Sequence, residues 1–157
     1  MITSKDDFLT IEENKFVFDY CLSAKFCHGE TTSSNGMVSE IFEEEDIYQL
    51  FKNKIEQYSE GLKIYWMYVN SYLPGEIPYF RRDTKENVDR VFTYHPQQKW
   101  DLDDGGTTEF YVDNGIVGVF PIPNRLLYFD ADIPHRTNSF RDRFKFTVEL
   151  RCNAETL

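Results

Sequence analysis

From Gly61 onward the chain is a succession of short β-branched and aromatic runs, each cut off by Pro, Gly, Asn or Asp: "KIYWMYVNSY", "RVFTYH", "TTEFYV", "GIVGVFPI", "RLLYFD" and "FKFTVELR". Runs of this length, separated by turn residues, bury their apolar side chains only by pairing antiparallel and closing into a sandwich or barrel. Large rings suit such packing, and aromatic residues make up 17% of the chain. A mainly β fold follows, and a jelly roll of six to eight strands fits these strand lengths best.

The first sixty residues differ in kind. In "SEIFEEEDIYQLFKNKIEQY" the residues Ile41, Ile47, Leu50, Phe51, Ile55 and Tyr58 recur at helical spacing, with acids early and lysines late as the helix dipole prefers. This predicts an N-terminal helical layer over about residues 1–60, packed on a β core over about 61–152. With 157 residues and no repeat or linker, the chain reads as a single domain. The acidic run Glu43–Asp46 projects around a helix start and is read as a solvated face.

Charge narrows the partners. A formal net charge of −10 argues against a nucleic-acid backbone and against an anionic membrane. Cys21, Cys27 and Cys152 are an odd set without CxxC spacing, which suggests neither a disulfide framework nor a thiolate zinc site and fits a cytoplasmic setting. The start "MITSKDDFLTIEENKF" lacks the basic-then-apolar order of a signal peptide, and no apolar run is of membrane-spanning length, so a soluble, unprocessed protein is expected.

Three histidines are available for chemistry. His28, in "KFCHGE", reads as a solvated loop residue, and His95, in "FTYHPQQKW", as a packed or hydrogen-bonded strand end. His135 differs, because "FDADIPHRT" delivers it after a strand and a turn, close to Asp130 and Asp132.

Three segments in order, "KWDLDDGGTTEFY", "PIPNRLLYFDADIPHRT" and "DRFKFTVEL", resemble the iron(II)/2-oxoglutarate-dependent oxygenases, particularly the prolyl-hydroxylase-like branch. Trp100, Gly105, Gly106, Thr108 and Phe110 match one family strand, and Asn124, Arg125, Leu126, Phe129 and His135 match the next; the likeness runs from about Tyr68 to Arg151. The resemblance implies a double-stranded β-helix (jelly roll). It also implies Fe(II) held by two histidines and a carboxylate, with 2-oxoglutarate and oxygen on the open positions. On that pattern Asp83 and His135 are metal ligands, and Arg143 pairs with the remote carboxylate of 2-oxoglutarate. Thr147 adds a hydrogen bond to the same carboxylate, Tyr72 lines the pocket, and His95 falls where relatives often have a tyrosine.

The segment "GEIPYFRRDTKENV" breaks the pattern, since Arg81 stands where the family has the first histidine of His-x-Asp. Arginine has only donors and offers no lone pair to iron. Either the chain is a degraded oxygenase that binds a ligand without turnover, or water or substrate completes the iron site and weak activity persists, or the position has been altered. The resemblance thus implies a dioxygenase that hydroxylates peptidyl proline, another protein side chain or a small molecule. A non-catalytic jelly-roll homologue that keeps the anion pocket is the competing reading, and a metal-independent cupin-like or sugar-nucleotide isomerase a third. Substrate choice is expected in the polar loops "CHGETTSSNGMVSE" and "DTKENVDR".

Overall fold

The computed structural model describes residues 1–28, 36–58, 61–84 and 89–154. The loops expected to choose the substrate lie partly outside these residues. Ten strands and two α-helices follow one another as β1 (Ile2–Lys5), α1 (Ile11–Ser23), β2 (Cys27–His28), β3 (Met37–Glu40), α2 (Asp46–Tyr58), β4 (Leu62–Tyr72), β5 (Asp89–His95), β6 (Thr108–Val112), β7 (Gly115–Val119), β8 (Arg125–Asp130), β9 (His135–Thr137) and β10 (Lys145–Ala154). Seven form a large antiparallel sheet in the order β1-β8-β5-β10-β4-β3-β2, and three form a smaller one in the order β7-β6-β9. An isolated bridge between Arg81 and His135 continues the smaller sheet. The jelly roll expected from the sequence is present. The N-terminal layer is more than helical, because β1, β2 and β3 join the large sheet; each is at most four residues long and carries too little alternation to be seen alone.

Both helices cover one face of the large sheet. Ile47, Phe51 and Ile55 of α2, spaced four apart, are buried against Val17 and Cys21 of α1 and against Met67, Val69, Phe92, Val148 and Leu150 of the sheet. A capping box between Thr10 and Glu13 starts α1, satisfying the free backbone donors of its first turn. Asn14, on its buried side, accepts a hydrogen bond from the Tyr94 hydroxyl at 2.5 Å. No described helix is long and apolar enough to cross a membrane.

The opposite face of the large sheet meets the smaller sheet. Val91, Leu127 and Phe129 pack with Phe110 and Ala131 at one end of this space. At the other end the facing residues are polar. Between β5 and β6 the segment Trp100–Gly106 closes the bottom of the barrel: the Trp100 indole N–H donates to Gly105 O at 2.9 Å, and Gly106 N donates to Ser139 O at 2.9 Å.

Gly105 adopts φ 78° and ψ −140°, a region open essentially to glycine alone. A Cβ there would stand 2.7 Å from the backbone oxygen of Ser139. Gly105→Ala is therefore expected to destabilise the fold by roughly 2–4 kcal/mol through combined backbone strain and clash. Urea denaturation checks this, and an unchanged midpoint would show that the 139–140 segment yields freely.

Candidate functional site

The site is built on the inner face of β10. Its sequence "KFTVELR" alternates, so Phe146, Val148 and Leu150 enter the helix-side core while Lys145, Thr147, Glu149 and Arg151 point into the barrel. Directly opposite on β4 stand Tyr72, Asn70, Tyr68 and Trp66. On the other side β5 places Thr93 opposite Glu149 and Val91 opposite Arg151. The polar stripe that results crosses three strands and is almost wholly buried.

Asp83 and His135 meet at one wall. Asp83 follows the bridge residue Arg81 and is anchored by its own N–H, which donates to Ala131 O at 3.0 Å. His135 opens β9, and its Nδ1 lies 2.9 Å from Ile133 O. Its Nε2 lies 3.3 Å from Asp83 Oδ2. Asp83 Oδ2 is buried and accepts no hydrogen bond.

The other Asp83 oxygen is engaged. Oδ1 accepts from Arg151 Nη2 at 2.9 Å and lies 3.4 Å from Arg81 Nε. Burial would raise the Asp83 pKa, but the His135, Arg81 and Arg151 contacts outweigh it and hold it at about 2. Arg81 also reaches Glu149 at 3.7 Å, and Arg151 reaches it at 3.6 Å. Glu149, absent from the sequence-based candidates, accepts from the Tyr68 hydroxyl and, at 3.0 Å, from Asn70 Nδ2. Two guanidinium groups and two carboxylates thus form one buried network, and a cleft of about 20 Å³, room for a single water, remains beside it.

The expected anion-binding residues divide. Thr147, Tyr72 and His95 are buried in the barrel, at 1%, 7% and 0% exposure. Arg143 is outside it. It precedes β10, follows a positive-φ turn at Asp142, and lies half-exposed over Trp100, donating to Lys99 O at 3.1 Å and facing Asp104 at 3.4 Å. The inward cation is Lys145, two residues on. It is fully buried, its Nζ donates to Gly106 O at 2.7 Å, and the Tyr72 ring lies 5.8 Å away. Arg143 and Thr147 share a strand face only if the strand runs through both, and β10 begins at Lys145, two residues after Arg143. Burial lowers the Lys145 pKa to about 7. His95 is pushed well below the ordinary range by burial and then by the Lys145 and Arg125 charges, and both its ring nitrogens are buried without partners. The alternation of "KFTVELR" is the signal that would have found Lys145 and Glu149.

No protein-family model and no curated protein matches the sequence. Solved structures do. A prolyl-4-hydroxylase from Pseudomonas putida superposes with a TM-score of 0.83 at 14% identity, covering 99% of this chain and 93% of that one. A prolyl hydroxylase from Trichoplax adhaerens, in complex with a hypoxia inducible factor oxygen degradation domain peptide fragment, gives 0.80 at 18% identity, covering 98% and 84%. HygX from Streptomyces hygroscopicus, with nickel and 2-oxoglutarate bound, gives 0.78 at 7%, covering 99% and 84%. The chain therefore has the fold of the prolyl hydroxylases and 2-oxoglutarate-Fe(II) oxygenases.

The residues present do not fit the iron that this fold implies. A facial site needs three lone-pair donors, and here the third position is a guanidinium. Among the described residues no group of three or more His, Cys, Asp or Glu is placed to hold a metal ion. Arg151 also occupies Asp83 independently of Arg81. Arg81→His alone is therefore expected to leave Ni(II) binding weak, while Arg81→His with Arg151→Gln raises it by about tenfold or more, read by calorimetric titration. Equal Ni(II) affinity in the single and double variants would show that Arg151 does not compete for Asp83.

Proposed function

We propose that the chain is a metal-independent binding protein for a small carboxylic acid, using the cosubstrate end of an oxygenase-type jelly roll. One observation carries this reading: Lys145 is a fully buried cation that, among the described residues, faces no carboxylate. The carboxylates of the barrel are already neutralised by Arg81 and Arg151. A buried, unpaired ammonium lowers stability, and an incoming carboxylate would complete it with a charge-assisted hydrogen bond. Thr147, Tyr72 and His95 supply further donors around the same spot. The role first given to Arg143 passes to Lys145 on this reading.

A second reading, an Fe(II)/2-oxoglutarate-dependent oxygenase of impaired turnover, draws on the Asp83–His135 pair, 3.3 Å apart. It ranks lower because the site lacks a third ligand and carries two guanidinium groups at Asp83. The substrate such an enzyme would hydroxylate has no counterpart among the residues described.

Lys145→Met is expected to weaken binding of 2-oxoglutarate or glutarate in the presence of EDTA by about 1.5–3 kcal/mol, ten- to more than a hundredfold, while Arg143→Ala leaves it unchanged. Calorimetry giving the opposite order would return the anion site to Arg143.

Affinity should also follow the Lys145 proton. It is flat just below pH 7 and falls about tenfold per pH unit above it, until the ligand-raised pKa of the complex is reached. A profile flat from pH 6 to 9 would exclude Lys145 as the anchor.

In the unliganded protein the same residue acts against folding. Its pKa is depressed, so the unfolded chain binds the extra proton between pH 7 and 10.5, and stability rises with pH across that window. Lys145→Met should stabilise the fold by about 2–4 kcal/mol at pH 6, with the gain shrinking toward pH 10. Thermal or urea unfolding that finds the variant less stable at pH 6 would assign Lys145 a structural role.

A further inference from the structure

We propose that the free edge of β7 pairs with the same edge of a second copy of this chain, joining the two smaller sheets across a two-fold axis at Val117. The smaller sheet runs β7-β6-β9, so β7 is bonded along one side only, and among the described residues no strand takes the other.

The backbone on that side is open. Asp113 and Asn114, at φ 51° and 60°, join β6 to β7 in the tight turn whose flanking residues, Val112 and Gly115, form a hydrogen-bonded pair. Alternation from that pair turns the N–H and C=O groups of Gly115, Val117 and Val119 toward β6. Those of Ile116 and Gly118 point outward. Natural edges of this kind are blunted by lysine, proline or a bulge, and β7, "GIVGV", has none of them. β1, which ends the large sheet, carries Lys5. Exposure marks the same strand: Ile116 and Val117 are 57% and 48% exposed, and Tyr111, opposite Ile116 on β6, is 46% exposed. An apolar strip beside unpaired backbone is a template for a strand from another molecule.

Two observations select a second copy as that molecule. The first is charge. With a formal net charge of −10, two copies repel over most of their surfaces, yet residues 114–124 contain no charged side chain, so here they meet without opposing like charges. The second is the order of large and small residues. Antiparallel pairing about Val117 sets Ile116 of each copy opposite Gly118 of the other, so every outward N–H and C=O finds its counterpart and each isoleucine lies beside a glycine. Centring the axis on Ile116 would oppose the isoleucines instead. A Cβ on Gly118, which would already stand 2.7 Å from Thr107 Cγ2, would narrow the slot that Ile116 enters. On the axis Val117 meets its own counterpart as a non-hydrogen-bonded pair, with Cα atoms about 4.5 Å apart and β-branched side chains in contact. Strands of five residues make a small interface, which sets the dimer in the weak class, with a dissociation constant on the order of 100 µM.

Sedimentation equilibrium of the intact chain from about 5 to 500 µM reads the association, and a monomer–dimer equilibrium is expected within that range. Val117→Lys would set two ammonium groups directly opposite each other and is expected to weaken the dimer at least about tenfold, with circular dichroism confirming that the variant is folded. Cysteines read the register. In a Cys27→Ser background, which removes the exposed thiol, Val117→Cys is expected to give a disulfide-linked dimer under copper-catalysed air oxidation. Ile116→Cys in the same background is not, because its counterpart lies about 7–8 Å away on the diagonal. A monomer at every concentration would overturn the proposal. So would a dimer that Val117→Lys leaves unweakened, or one that Ile116→Cys cross-links in preference to Val117→Cys.

Discussion

β10 lies in the large sheet between β4 and β5, and each successive side chain of that strand must enter one of two opposite environments. Phe146, Val148 and Leu150 seal the core beneath the helices, which fixes the register. That register leaves Lys145, Thr147, Glu149 and Arg151 no alternative to the barrel interior. A slip by one residue would put three formal charges into the helix-side core, at a cost that no single contact offsets. The position of every other site group is set against this strand: Tyr68, Asn70 and Tyr72 across it on β4, Thr93 on β5, and the Asp83–His135 pair on the wall that faces it.

Burying five formally charged side chains in so small a barrel is tolerable because most are paired. Asp83 receives Arg151 directly and Arg81 at longer range, and Glu149 is held by Tyr68, Asn70 and the same two guanidinium groups. Two fixed positive charges thus supply what a divalent cation would supply to such carboxylates, but from side chains tethered to β10 and to the segment before β5. Breaking any one pair would leave its partner buried and uncompensated, which is far costlier than never having the pair. Lys145 is the exception, held by a single carbonyl, and its lowered pKa expresses that imbalance.

The family resemblance named a set of residues that the structure buries together. Asp83, His135, Tyr72, Thr147 and His95 were named on that resemblance, and the side chains of all five are buried. Arg81 was legible as a departure, because no arginine can serve where a metal ligand belongs. What escaped was the difference between Arg143 and Lys145. Parity along a strand assigns both to one face, and the turn at Asp142 that ends the parity is a backbone event without a strong sequence mark. Glu149 and Arg151 escaped for another reason. Charged residues near the end of a strand read as solvent-facing, and their burial becomes visible only when Asp83 and Arg81 are brought against them from far away in the chain.

The sequence by itself determined the strand-rich fold and the helix that covers it. Those properties follow from local periodicity, which a linear text carries in full. That Arg81 stands where the family resemblance puts a histidine is likewise a matter of residue type. Only the tertiary structure decided that Lys145 enters the barrel, that Arg151 shares Asp83 with Arg81, and that Lys145 faces no carboxylate among the described residues. Those are statements about the sum of charges in a closed low-dielectric volume, and that sum is set by which distant segments meet across the barrel.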